Sequence, residues 1–209
     1  MMHGKEIITS GLPVEKAEKV LILLHGRGGS AQNIMQLTND LKLNNFAILA
    51  PQASRNTWYP YSFMMPQAMN EPWLGHALKM LSEMESSALS QGFDSKDIYF
   101  AGFSQGACLS LEYTARNAKQ YGGVIAFTGG LIGDKINETL YSGDFKNTSV
   151  FIGTSDPDPH VPVDRVYETD HVFKKLNADT HIHIYREMGH TIIQDEIDRV
   201  NEIFFSRSE

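Results

Sequence analysis

Ser104 lies in Gly102-Phe103-Ser104-Gln105-Gly106, a G-x-S-x-G pentapeptide that closes the apolar run 98–103. A serine between small residues at a strand-to-helix turn takes a strained backbone conformation that lifts its hydroxyl out of the sheet. The same turn aims the next backbone N–H, that of Gln105, at a carbonyl under attack. Serine is also a favoured helix N-cap, so the pentapeptide alone leaves two roles open. A nucleophilic role requires a base, because a serine hydroxyl is a weak nucleophile at neutral pH. Among eight histidines, only His190 follows the last apolar segment and a glycine, in Glu187-Met188-Gly189-His190-Thr191. A base in turn needs an acid to fix its tautomer and stabilise the imidazolium. The run 150–152 leads into Gly153-Thr154-Ser155-Asp156-Pro157-Asp158-Pro159-His160-Val161-Pro162. Asp156 and Asp158 compete there, and spacing does not separate them. Either choice gives the chain order Ser, Asp, His.

Acyl transfer also needs backbone donors for the oxyanion. His25-Gly26-Arg27-Gly28-Gly29 follows the apolar run 20–24, and its glycines permit a tight turn that exposes backbone N–H groups. A phosphate-binding loop is the competing reading, but no GK[ST] ending follows. His181 and His183 share one face of a strand, yet no third metal ligand has a place beside them, so no metal is expected. His3, His76, His160 and His171 read as surface or capping residues. Cys108, one turn beyond Ser104, reads as a small buried apolar contact without chemistry of its own.

These residues must be positioned by strand ends. Segments 20–24, 47–50, 98–103, 124–127, 150–152 and 181–185 read as strands; the first five are nearly continuous in apolar residues, as strands covered on both faces are. Segments 31–43, 71–91, 105–120, 163–176 and 191–205 have helical spacing. In the second of these, Leu74, Leu78, Leu81 and Glu85 with Leu89 trace an apolar stripe. Strand–helix alternation predicts an α/β fold, a mostly parallel sheet flanked by helices on both faces. Ligands bind such sheets outside the carboxyl ends of the strands, where Arg27, Ser104, Gln105, Asp156, Asp158 and His190 fall.

The 209 residues are 42% hydrophobic and 21% charged, an ordinary globular composition for one domain over 1–209. A net charge of −7, with no Lys/Arg cluster, argues against a nucleic-acid partner. One cysteine excludes a disulfide framework, and no apolar leader or long apolar run stands out. A cytoplasmic protein without stable membrane insertion is expected. The oligomeric state is left open, with a homodimer as one candidate.

HGRGG, GFSQGA, DPHVP and GH together resemble the phospholipase/carboxylesterase family of α/β-hydrolases, which includes the acyl-protein thioesterases; the resemblance runs over about 18–205. It implies the α/β-hydrolase fold and a serine hydrolase acting on esters, with Ser104 as nucleophile and His190 as base. It puts the acid on Asp158, and the oxyanion donors on the amides of Arg27 and Gln105. No cofactor is implied. Two positions depart from the pattern: Arg27 stands where an apolar residue is usual, and segment 56–66 matches the family's Trp-containing stretch only in part. Segment 56–66 is closer to a bacterial subgroup with poorly defined substrates.

The loop after segment 47–50 carries Trp58, Tyr59, Tyr61, Phe63, Met64 and Met65, so Trp58, Tyr59, Phe63, Met64 and Met65 are expected to wall a site for an apolar acyl or aromatic group. Packing of that loop onto the core is the alternative for each residue. Only about twenty residues, 129–148, are available for a cap, too few for a helical lid. A small-molecule ester with a short acyl chain, or the corresponding thioester, is the expected substrate. The Arg27 side chain either meets a substrate carboxylate or points to solvent. The competing functions are a lactone or other acyl-bond hydrolase, and a silent binding module on the same fold. Serine in place of cysteine weighs against the first, and a complete set of triad residues against the second.

Overall fold

A computed structural model describes residues 3, 4 and 6–206. Seven strands form one sheet: β1 (Ile7–Gly11), β2 (Lys19–Leu24), β3 (Phe46–Pro51), β4 (Ile98–Phe103), β5 (Gly123–Phe127), β6 (Ser149–Asp156) and β7 (Asp179–Arg186). Their order is β1-β3-β2-β4-β5-β6-β7, with β1 antiparallel to β3 and every other pair parallel. The helices are α1 (Ala31–Met35), α2 (Gln67–Asn70), α3 (Trp73–Ser90), α4 (Gln105–Arg116), α5 (Val163–Lys175) and α6 (Gln194–Val200).

Strand β2 shows why the central strands are apolar throughout. Val20, Ile22 and Leu24 point into the core under α3, α4 and α5, while Leu21 and Leu23 point into the core with α1 and α6. Both faces are dry, so neither set of alternate side chains can be polar. Pairing of β2 with β4 sets Leu24 level with Gly102, which brings the loop after β2 beside the turn after β4. The chain reverses its direction of strand addition at this pair, the position where open α/β sheets bind ligands.

Several elements differ from the sequence expectation. Strand β1 was not anticipated: it is an edge strand with only two apolar residues, and its pairing with β3 supplies the order that its pattern does not. Helix α1 stops at Met35 and tightens into a 3-10 turn over Gln36–Asn39. The chain beyond is tied to the C-terminal helix, since Asn201 accepts from the Lys42 amide and donates to the Asp40 carbonyl. In α3 the buried stripe runs through Leu74, Ala77, Leu81, Met84 and Ala88, and Leu89 is exposed. Glu85 is buried on that helix because it accepts from Tyr113 and pairs with Lys119 Nζ at 2.8 Å. Segment 129–148 holds only a 3-10 turn at Glu138–Leu140, and its Leu131, Ile132 and Phe145 are wholly buried in the core rather than arched over the sheet. Among the described residues no helix is long and apolar enough to cross a membrane.

Candidate active site

Ser104 occupies the turn between β4 and α4 with φ 54° and ψ −116°, a conformation costly for any residue with a Cβ. The turn closes because its neighbours are glycines. A Cβ on Gly102 would lie 2.4 Å from the Gly106 carbonyl carbon, and one on Gly106 would lie 2.3 Å from the Leu24 carbonyl oxygen. The Ser104 amide donates to Phe127 O on β5 at 2.9 Å, which fastens the turn across the sheet.

Ser104 Oγ lies 2.8 Å from His190 Nε2, and His190 Nδ1 lies 2.9 Å from Asp158 Oδ2. The other carboxylate oxygen of Asp158 accepts from the amides of His160 at 2.8 Å and Val161 at 2.9 Å. Burial pushes the Asp158 carboxyl up, but the bonds from His190 and the two amides outweigh it and hold the group below the usual aspartate value. Asp156 is exposed at the end of β6, and its carbonyl accepts from Glu187 N at 3.0 Å. It therefore fixes the backbone of the His190 loop and leaves Asp158 as the carboxylate on the imidazole.

Three supports of that loop were not recognised from sequence. Ser155 Oγ accepts from the Gly189 amide at 3.0 Å. Glu196 reaches back to the Ile193 amide at 3.0 Å, and burial pushes its own carboxyl up to about 7. His160 is exposed, as expected, and its ring also meets that of His190 edge-on at 4.8 Å, while Phe103 packs against His190 at 5.2 Å. A tight Gly-His turn with a small polar residue one position before the strand end was the only available signal for Ser155. His160 had none beyond its closeness to Asp158.

The HGRGG loop abuts the turn: a Cβ on Gly26 would touch Ser104 Cβ at 3.4 Å. His25 is the internal post of this loop. Its Nδ1–H donates to Gly26 O at 2.7 Å, its Nε2 accepts from Ala53 N at 3.1 Å, and burial pushes its pKa down, which agrees with a neutral ring. Gln105 is the first residue of α4, so its amide has no acceptor within the helix. The amides of Arg27 and Gln105 thus belong to two backbone segments in contact beside Ser104.

Residues 57–62 are held by side chains from elsewhere. Gln105 Nε2 donates to Tyr59 O at 2.8 Å, and its Oε1 accepts from Trp58 N at 2.9 Å. Arg27 donates to Thr57 Oγ1 at 3.0 Å, Pro60 O at 2.9 Å and Tyr61 O at 2.6 Å. Asn70 accepts from Tyr61 N and donates to Ser62 O. A cavity of about 590 Å³ opens over Ser104 and His190, with Arg27, Tyr59, Phe63, Phe103, Cys108 and His160 in its wall.

Of the five residues expected to wall the site, Tyr59 and Phe63 do so and three do not. Trp58 is wholly buried, with its indole N–H on His25 O at 2.8 Å, so it props the HGRGG loop from behind. Met64 packs against the core, and Met65 is exposed outside the cavity. His3, expected at the surface, is buried with its Nε2 3.0 Å from Trp58 O. Cys108 is buried and reaches the cavity wall; burial pushes its thiol up to about 12, so it stays protonated. His183 stacks on Phe151 and His181 faces Asp179, and among the described residues no group of three such side chains is placed to hold a metal.

A mostly parallel seven-stranded sheet with helices on both faces, its functional loops at the strand ends, defines an α/β-hydrolase. Residues 5–205 match the phospholipase/carboxylesterase family, and the chain belongs to it. A crystal structure of a phospholipase/carboxylesterase from Dyadobacter fermentans is 52% identical, covers 99% of each chain and superposes with a TM-score of 0.97. Acyl-protein thioesterase 1 of Kluyveromyces lactis is 25% identical over 203 residues, 88% of this chain and 89% of that one. The esterase PE8, 22% identical with 97% of each chain covered and a TM-score of 0.78, shares the fold. The chain is a hydrolase acting on esters.

Proposed function

We propose that the chain cleaves carboxylic esters of small or short-acyl substrates through an acyl-enzyme on Ser104. The observation that carries this is the unbroken hydrogen-bonded path from Ser104 Oγ through His190 to Asp158, at 2.8 and 2.9 Å. His190 Nε2 takes the hydroxyl proton as Oγ attacks the carbonyl carbon, and returns it to the leaving alcohol as the tetrahedral intermediate collapses. Water then repeats the sequence on the acyl-enzyme and releases the acid. Asp158, ionised and held by two amides, keeps the proton of the neutral imidazole on Nδ1 and stabilises the imidazolium. The amides of Arg27 and Gln105 receive the oxyanion, each contributing roughly 3 kcal/mol of transition-state stabilisation.

The cavity of about 590 Å³, without a helical cap above it, supports short acyl groups over long ones. Thioesters are a second substrate class on the strength of the K. lactis relative's name. A single unpaired cysteine favours the cytoplasm as the site of action. A panel of p-nitrophenyl acetate, butyrate and palmitate tests the reading, with the wild type and Ser104→Ala in parallel. Acetate and butyrate should be turned over far better than palmitate, and only by the wild type. Turnover by Ser104→Ala, or a preference for palmitate, would overturn it.

A further inference from the structure

Among the described residues, Arg27 brings the only permanent positive charge to the cavity wall, and no Asp or Glu lines it. The guanidinium is fixed by three neutral acceptors, Thr57 Oγ1, Pro60 O and Tyr61 O, and lies 5.9 Å from the centre of the Tyr59 ring. The other arginines held by side-chain hydrogen bonds each meet a carboxylate: Arg116 meets Glu112, Arg165 meets Glu168 and Arg199 meets Asp195. No carboxylate pairs with Arg27 among the described residues. The three bonds are made by Nη1 and Nη2, so of the five N–H donors Nε–H and one on Nη2 have no partner among the described residues. Two donors and an unpaired charge, held in a fixed orientation, are what one carboxylate needs.

We propose that Arg27 receives a carboxylate carried by the substrate, so that the enzyme selects small anionic esters over neutral ones of the same size. This rests on the ester-hydrolase reading of the same cavity. Because the Arg27 amide belongs to the loop beside Ser104, the carboxylate lies within one arginine side chain of the reacting carbonyl. Half-esters of short dicarboxylic acids and esters of a hydroxybenzoate both have that reach. The chain's net charge of −7 opposes an anion at long range, so the selection must come from direct contact. Arg27 is exposed, so water competes for the guanidinium and limits the preference to roughly tenfold.

The test compares kcat/KM for four substrates. Mono-p-nitrophenyl succinate carries its carboxylate on the acyl side, 4-acetoxybenzoate carries it on the leaving group, and p-nitrophenyl butyrate and phenyl acetate are their neutral partners. In the wild type at least one anionic ester should match or exceed its neutral partner, after correction for intrinsic reactivity. Arg27→Gln should lower that ratio roughly tenfold through KM, whereas Arg27→Lys should keep most of it. A merely structural clamp would lower anionic and neutral turnover together. Neutral turnover with an unchanged ratio in Arg27→Gln, or a wild type that disfavours both anionic esters more than tenfold, overturns this inference alone. Absence of turnover on all four substrates overturns the hydrolase reading beneath it.

Discussion

The turn at Ser104 and the loop at 57–62 both shape the cavity, but they are fixed by opposite means. The turn depends on absent atoms: Gly102 and Gly106 let β4, α4 and the β2 carbonyls approach closer than any Cβ allows. The loop depends on side chains that come from elsewhere, chiefly Gln105, Arg27 and Asn70, which satisfy its backbone. A turn built by steric exclusion tolerates no added atom. A loop built by hydrogen bonds should yield gradually as they are removed. Rigidity is thus placed at Ser104, and adaptability at the wall of the cavity.

The largest effect should follow from filling the turn. Gly106→Ala drives a Cβ against the carbonyls of Leu24 and His25, and the contacts are backbone, so nothing nearby can give way cheaply. We expect a loss of at least about 3 kcal/mol of stability, read as a lower urea midpoint or the absence of folded protein. A variant as stable as the wild type would break the steric account. Ser104→Ala should keep the fold and lower kcat by roughly 10⁴-fold or more.

Asp158 offers a test through pH. Its folded pKa is depressed, so its contribution to stability is present above the ordinary aspartate value and lost as pH falls through the depressed one. The difference in unfolding free energy between the wild type and Asp158→Asn should therefore persist at pH 5 and close only below about 4. A difference already gone at pH 6 would contradict the bonding seen around the carboxylate.

On the loop, Gln105→Ala removes the acceptor of the Trp58 amide and the donor to Tyr59 O. A buried amide left unpaired should cost about 2 kcal/mol in urea unfolding. No loss would show that the loop holds itself. The smallest effect concerns backbone strain: Ser104→Gly should melt above Ser104→Ala, by about 1 kcal/mol, because glycine accepts φ 54° without a Cβ penalty. The reverse order would remove strain from the account of the turn.

The same contrast explains what could be read in the sequence. The Ser104 turn was legible because its glycines and the apolar strand before it are neighbours in the chain. His190 was legible by its place after a strand. The choice of Asp158 over Asp156 came from the resemblance, since both follow β6 and only the amides of His160 and Val161 distinguish them. Trp58 was misplaced because an aromatic residue in a proline-flanked loop looks the same whether it faces a ligand or the core. What decides is the His25 carbonyl, 33 residues earlier. Strand β1 escaped for a related reason, as its order comes from β3 rather than from its own five residues.

The central claim, that Ser104 is the nucleophile, is tested most directly by treating the native protein with a fluorophosphonate and locating the adduct by peptide mass spectrometry. The account predicts one phosphonyl group per chain, on the peptide that carries Ser104, and none on Ser104→Ala. An adduct on any other residue, or equal labelling of Ser104→Ala, would contradict it.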